Sequence, residues 1–197
     1  MSGALPDLLV PGLDVAFVNI NPAIYSVERG HYFARKSNKF WPCISASRLT
    51  LAMRTELGVE RLGPEHDVLL PRFGIGFTDL VARPTARASD VSPAEFVAGA
   101  AILLKKLERF APRIACFQGI TGYRIVRDAL PHSHDAPALG LQPERAGPTR
   151  LFLVPNPSGA NAHFTRAQQT YWYDRLHDCA TEKIASSRGS HPDRAGR

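Results

Sequence analysis

The residues best placed for chemistry follow a run from Val15 to Ile20, which stops at Asn21-Pro22. Pro22 excludes Asn21 from the helical region and holds it extended at a sharp exit from a strand. A neutral, rigidly placed amide at such a tip can hold a water or a base edge. Three more runs end in the same fashion. One closes on Thr78-Asp79, with Arg83-Pro84-Thr85 beyond it; one closes on Gln118-Gly119; the last closes on Asn156-Pro157-Ser158-Gly159. In open α/β sheets ligands bind at the carboxyl ends of strands. The first, second and fourth runs therefore point polar side chains at one sheet edge, and that convergence is more specific than any one motif.

The elements that must position these residues are legible as periodicities. Strands are expected at Val15–Ile20, Gly76–Val81, Arg113–Gln118 and Leu151–Pro155, each β-branched or aromatic and closed by polar, Gly or Pro punctuation. Helices are expected over 41–57, with Leu49, Met53 and Leu57 spaced by four, and over 93–110, 121–130 and 165–180. The second begins Ser92-Pro93-Ala94-Glu95, an N-cap, a first-turn proline and a capping-box Glu. Its stripe of Phe96, Ala100, Leu103, Leu104 and Leu107 is amphipathic. Alternating strands and helices predict an α/β fold: a short central parallel sheet of about four strands, sandwiched by helices. One domain is expected over residues 1–180, followed by a disordered basic tail over 181–197 that has almost no large apolar residues.

Composition narrows the chemistry. The chain of 197 residues is 44% hydrophobic and 21% charged, an ordinary balance for a folded domain. No apolar run reaches membrane-spanning length, and Met1 to Asp7 lacks the basic start and apolar core of a secretory signal. A charge of +6 favours a polyanionic partner, nucleic acid foremost. Cys43, Cys116 and Cys179 match no zinc or iron–sulfur spacing, and the seven histidines form no ligand pair, so neither metal nor cofactor is expected. A reducing, cytoplasmic setting follows from that cysteine use. Pro157-Ser158-Gly159 is not a nucleophile elbow, and no Gly-rich phosphate loop follows the first strand. Phe40, Trp41 and Phe110 read as core aromatics.

Taken in order, Asn21-Pro22, Gly30-His31-Tyr32-Phe33, Asn38-Lys39-Phe40-Trp41, Gly74-Ile75-Gly76-Phe77-Thr78-Asp79-Leu80-Val81-x-Arg83-Pro84-Thr85 and Pro155-Asn156-Pro157-Ser158-Gly159 resemble the mismatch-specific uracil-DNA glycosylase and thymine-DNA glycosylase family. Gly140-Leu141-Gln142-Pro143 and Ala162-His163-Phe164-Thr165-Arg166-Ala167-Gln168 look more like the thymine branch. The resemblance spans about residues 8–178. It implies a monofunctional enzyme that hydrolyses the N-glycosidic bond of uracil in single- or double-stranded DNA and leaves an abasic site for base-excision repair. It implies an uracil-DNA-glycosylase-like fold acting as a monomer on DNA, without membrane or metal. By this resemblance Asn21 positions water, Phe33 stacks on the flipped base, Asn156 is a pocket residue, and the backbone near Ile20 and Phe33 reads the pyrimidine edge. The loop from Pro157 to Ala162 enters the DNA, with Ser158, Gly159, Ala160, Asn161 and the adjacent His163 as its DNA contacts. Lys36, Lys39, Arg83, Arg87 and Arg166 are candidate phosphate contacts, and each is equally consistent with a solvated surface charge.

The chemistry suits these residue types. A base must leave the stack, at a cost of a few kcal/mol, and an aromatic platform recovers about 1–3 kcal/mol. Asn21 can orient water but cannot take its proton. Asp79, where the family varies among amide, lysine and carboxylate, is the candidate general base or stabiliser of the cationic sugar; the competing reading pairs it with Arg83 or makes it a turn cap. No lysine is placed for Schiff-base chemistry. Three departures stand out. Asn19 replaces a usual Gly and adds an amide beside the pocket. Ala23 replaces a usual Gly and narrows the side of the base that bears C5, so uracil should be preferred to thymine. Ala160 replaces a large wedge, so activity on single strands and weak discrimination of the opposing base are expected. Another lesion as main substrate, such as ethenocytosine or a deaminated purine, and a non-catalytic damaged-DNA-binding module are the alternatives.

Overall fold

The computed structural model describes residues 3–131 and 134–182. Four apolar runs become mutually parallel strands: β1 (Val15–Asn19), β2 (Ile75–Asp79), β3 (Ile114–Gln118) and β5 (Thr149–Val154). They lie in the order β2-β1-β3-β5, and β4 (Gly140–Ala146) adds to β5 at the far edge. The runs are apolar at nearly every position because both faces are covered. On one face Phe17, Phe77, Cys116 and Phe152 pack with Phe40 and Tyr173. On the other, Val18, Ala115, Phe117 and Leu153 pack with Leu103, Leu107, Tyr123 and Val126. Helices α2 (Phe40–Ala46) and α6 (Arg166–Thr181) supply the first layer; α4 (Pro93–Phe110) and α5 (Ile120–Arg127) supply the second. Phe40 and Trp41 are buried in this core as expected, and Phe110 is half-buried against a smaller cluster around Leu13.

Three features depart from the expected elements. The sheet has a fifth strand: β4 runs antiparallel to β5. Its alternation is inverted, with Leu141 exposed while Gln142 and Glu144 are buried. Those polar groups are satisfied inside, Gln142 Nε2 by the carbonyls of Ala138 and Gly140 at 2.6 and 2.7 Å, and Glu144 by the Tyr123 hydroxyl at 2.5 Å. A hydrophobic pattern cannot announce such a strand, and Pro143 is tolerated because β4 is an edge. The helix expected over 41–57 is broken at Ser47, which is extended. The hydroxyls of Ser47 and Thr50 both donate to the Ile44 carbonyl, at 2.8 and 2.7 Å, and replace backbone helix bonds there. A 3-10 turn follows, then α3 (Leu51–Leu57). A short helix after the first strand, α1 (Ile24–Arg29), and a 3-10 run at Pro64–Phe73 had no clear periodicity.

Helix α4 begins as read: Ser92 accepts from the Glu95 backbone N–H, and Glu95 returns a bond to the Ser92 N–H at 2.9 Å. The tail expected over 181–197 lies outside the described residues from 183 onward.

Candidate active site

Strands β1, β2, β3 and β5 all point their carboxyl ends at one cavity of about 520 Å³. Of the residues singled out from sequence, Asn19, Ile20, Asn21, Ala23, Phe33, Asp79, Asn156, Ser158, Gly159 and Ala160 line it. Tyr32, Thr85 and Gln118 from the same motifs, and the candidate phosphate contact Arg87, also form the wall. Gln118 ends a strand in sequence as Asn21 and Asp79 do, which was the available signal. Thr85 closes the Arg83-Pro84-Thr85 run beyond the second strand, which marked the segment but not its partner.

Asn21 is held in one orientation. Its Nδ2 donates to the Arg83 carbonyl at 3.1 Å and to Thr85 Oγ1 at 2.7 Å. The Thr85 hydroxyl proton is already given to the Arg87 carbonyl at 2.6 Å, so Thr85 can only accept from Asn21. Both neighbours demand N–H groups, and the amide cannot flip. Oδ1 is thereby left as the acceptor for a ligand or water. The loop that fixes it is itself tied down, with Thr85 N–H on the Pro22 carbonyl at 3.2 Å and Arg83 on Glu95 at 2.5 and 2.9 Å.

Asp79 is 6% exposed. It does not pair with Arg83, whose guanidinium is taken by Glu95. Its Oδ1 is buried without a hydrogen-bond partner. Burial pushes the carboxyl up to about 7 from its ordinary 3.8; the neighbouring Asn19 amide pulls down, Asp7 pushes up, and Lys106 and the Tyr32 hydroxyl pull down. Desolvation wins because no cation touches the carboxylate: Lys106 is spent on Asp7 at 2.7 Å. A carboxyl poised near neutrality inside a cavity suits proton transfer.

Phe33 adopts φ +53°, a left-handed conformation that costs a non-glycine residue energy. The turn that imposes it is anchored by a carboxylate that sequence reasoning passed over. Asp67, 1% exposed, accepts from the Tyr32 backbone N–H at 2.8 Å and contacts His31 Nδ1 at 3.0 Å. Trp41 Nε1 donates to the Tyr32 carbonyl at 3.0 Å. The Phe33 ring stacks on buried Phe40, centroids 4.3 Å apart, while forming part of the cavity wall. An aromatic platform backed by a second ring is rigid on the side that meets a ligand. Ile20 closes the neighbouring wall, its carbonyl accepting from the Val81 N–H at 2.9 Å.

Asn156 is oriented too. Its Oδ1 accepts from the Ser158 N–H at 2.9 Å, so its amide N–H groups are what remain for a ligand. Gly119, at φ +104°, leaves room for it: a Cβ there would lie 3.1 Å from Asn156 Cβ. The following loop is fastened from two directions. Asn161 Nδ2 donates to the Asn156 carbonyl at 2.9 Å. Lys39 Nζ donates to the carbonyls of Asn161 and Phe164, at 2.6 and 2.8 Å. Lys39 thus braces the loop, and its ammonium is aimed at carbonyls. Lys36 lies in a second, larger groove of about 1060 Å³ that shares Phe33, Arg35 and Asn38 with the cavity. His163 is exposed outside both.

Among the described residues, no group of His, Cys, Asp and Glu side chains is placed to hold a metal ion, and no helix is long and apolar enough to cross a membrane. The fold is similar to the solution NMR structure of a "putative Uracil DNA glycosylase" from Methanosarcina acetivorans. That protein is 17% identical, with a TM-score of 0.54 over 88% of this chain and 97% of its own. The model of the uracil DNA glycosylase superfamily matches residues 6–178, which include all four parallel strands and every cavity-lining residue but Leu5. The chain belongs to the uracil DNA glycosylase superfamily.

Proposed function

We propose that this protein excises uracil from DNA by hydrolysis of the N-glycosidic bond, with Asn21 and Asp79 acting on one water. The observation that carries the reading is that the free Oδ1 of Asn21 and the unpartnered Oδ1 of Asp79 line the same cavity as the Phe33 ring. The flipped base lies against Phe33. Asn156 donates an amide N–H to a carbonyl of the base, which stabilises it as it departs with the electron pair of the C1′–N1 bond. Asn21 Oδ1 accepts one hydrogen of the water, and the water oxygen bonds to C1′. Asp79 takes the proton released and lies close to the developing cationic sugar. The products are free uracil and an abasic site, with no lyase step.

Departures from the family pattern set the substrate range. The Ala23 methyl is part of the cavity wall, and it disfavours the 5-methyl of thymine, so G·U is processed faster than G·T. Ala160 is exposed at the tip of the 157–161 loop and is too small to fill the gap left by a flipped base, so single strands are cleaved comparably to duplexes and the opposing base matters little. These features set the chain apart within the branch of mismatch-specific and thymine glycosylases that it resembles. Another lesion as main substrate draws less support, because Asn19 is turned toward Gln118 and Asp79.

The test is single-turnover cleavage of an oligonucleotide carrying one uracil, as single strand, U·A and U·G, with hot alkali to reveal abasic sites. Alkali-dependent cleavage that falls about 10²-fold or more in Asn21→Ala and Asp79→Ala supports the reading. Undiminished cleavage in Asp79→Ala removes Asp79 from the mechanism. Binding of uracil DNA without any cleavage points instead to a damage-binding module.

A further inference from the structure

The strand registers place a polar row across the carboxyl edge of the sheet. Asn19 pairs with Asp79 across β1 and β2, and the β1–β3 register, one step beyond Val18 and Phe117, sets Asn19 beside Gln118. These side chains share the face of Phe17, Phe77 and Cys116, directly above the apolar layer. The row continues off the sheet. Gln118 Nε2 donates to Asn19 Oδ1 at 3.4 Å, and the Tyr173 hydroxyl of α6 donates to Gln118 Oε1 at 3.3 Å. Behind Tyr173, the Gln169 amide donates to the Pro155 carbonyl at 2.9 Å. Gln118, Tyr173 and Gln169 are all buried.

The two hydrogen bonds of this row point the same way, from Tyr173 to Gln118 and from Gln118 to Asn19, and the strand register sets Asn19 beside Asp79. An amide is ambivalent: it can present N–H or C=O to a neighbour. With Gln118 Nε2 on its oxygen, Asn19 must turn its N–H groups toward Asp79. Were Asn19 to flip, its carbonyl would face the carboxylate and favour the protonated acid. We infer that Gln118, backed by Tyr173, is a positioning residue that turns the Asn19 amide N–H groups toward Asp79 and so keeps this carboxylate available to accept a proton.

Asn19 stands where the family pattern has glycine, so this relay belongs to the present chain. Aligned hydrogen bonds also polarise one another in a buried setting. The other charged groups around Asp79 are accounted for. Asp7 is bridged to Lys106 and accepts from Thr78 at 2.7 Å; Asp67 is held by His31 and the Tyr32 N–H; Arg83 is held by Glu95. The Tyr32 hydroxyl donates to the Pro6 carbonyl at 3.1 Å and also acts on Asp79. The relay is the remaining polar influence on the carboxylate, and it enters from the side opposite Asp7 and Lys106 in strand order.

The inference deepens the proposed role of Asp79 as base, and its test has a readout independent of that role. The carboxyl carbon of Asp79 is titrated by ¹³C NMR in the full chain, its signal assigned by loss in Asp79→Asn. Gln118→Met keeps the side-chain length and removes the amide. It should raise the Asp79 midpoint by about one pH unit, the size of a weakened hydrogen bond to a charge. Tyr173→Phe should move it in the same direction by less. In an Asn19→Ala background Gln118→Met should add nothing, because the relay acts through that amide. The rising limb of the single-turnover pH–rate profile should shift with the NMR midpoint. An Asp79 midpoint unchanged in both Gln118→Met and Tyr173→Phe overturns the relay, as does a Gln118→Met shift that persists without Asn19. Wild-type rate and pH profile in Asp79→Asn would refute the base reading alone and leave the titration to judge the relay.

Discussion

Asp79→Asn should make this protein more stable and less active, and the gain in stability should depend on pH. In the folded chain the carboxyl titrates near 7 against an ordinary 3.8. The raised value means that the folded state holds the proton more tightly than the unfolded state. Stability from this group is then complete below the unfolded value and is lost as pH rises through 7. The difference between the two values corresponds to about 4 kcal/mol, large against a typical net stability of about 5–15 kcal/mol. The asparagine cannot ionise, and its amide can turn its oxygen to the Asn19 N–H. Urea denaturation should therefore show the variant gaining on wild type by about 4 kcal/mol between about pH 4 and pH 8.5, with most of the gain above pH 5. Single-turnover cleavage should fall about 10²-fold or more in the same variant, while the wild-type rate climbs to a plateau above pH 7. A stability difference that is flat across this range would falsify the argument, since it would mean that burial does not hold the proton on Asp79.

Three further outcomes follow from the geometry. Thr85→Val removes the acceptor that orients Asn21 at 2.7 Å; the amide is then free to flip, and single-turnover cleavage should drop about tenfold with little change in DNA affinity, whereas a large loss of affinity with an unchanged rate would contradict the role of Asn21 in placing water. Gly159→Ala brings a methyl to 2.5 Å from the Ser37 carbonyl oxygen, so the loop must shift; a weakened duplex affinity measured by fluorescence anisotropy is expected at a destabilisation of about 1–3 kcal/mol, and unaltered affinity would show that this loop does not meet the DNA. Ala160→Leu restores an apolar wedge at the loop tip and should raise the ratio of U·G to single-strand cleavage; a ratio equal to that of wild type would show that another group already fills the gap.

The stack of Phe33 on Phe40 explains how the core and the site are built as one unit. Phe40 is fully buried among Phe17, Phe77 and Tyr173 and supports the ring that lines the cavity. The strained backbone at Phe33 persists because Asp67, Trp41 and Phe40 hold the turn from three sides. An Asp67 variant should disturb the Phe33 turn before it disturbs the sheet.

Much was legible from the chain. Two-sided burial turns a parallel strand into a continuous apolar run, so β1, β2, β3 and β5 could be located within a residue or two, and with them the edge where Asn21, Asp79 and Asn156 lie. The capping box of Ser92 and Glu95 marked the start of α4 because capping is a local event of four residues. What required the tertiary structure is everything that depends on partners distant in sequence. Strand β4 was hidden because its buried side is polar and is satisfied by Tyr123 and by carbonyls that only the fold brings near. The break at Ser47 was hidden because hydroxyl bonds to the Ile44 carbonyl leave no mark on hydrophobic spacing. Asp67, 35 residues from the Tyr32 N–H it holds, carries no motif, and Thr85 stands in a motif that does not reveal its partner Asn21, 64 residues away. The presence of a carboxylate at Asp79 is a fact of sequence. Its burial without a cation and the rise of its carboxyl toward neutrality are consequences of packing, because the strength of a charge is set by what surrounds it.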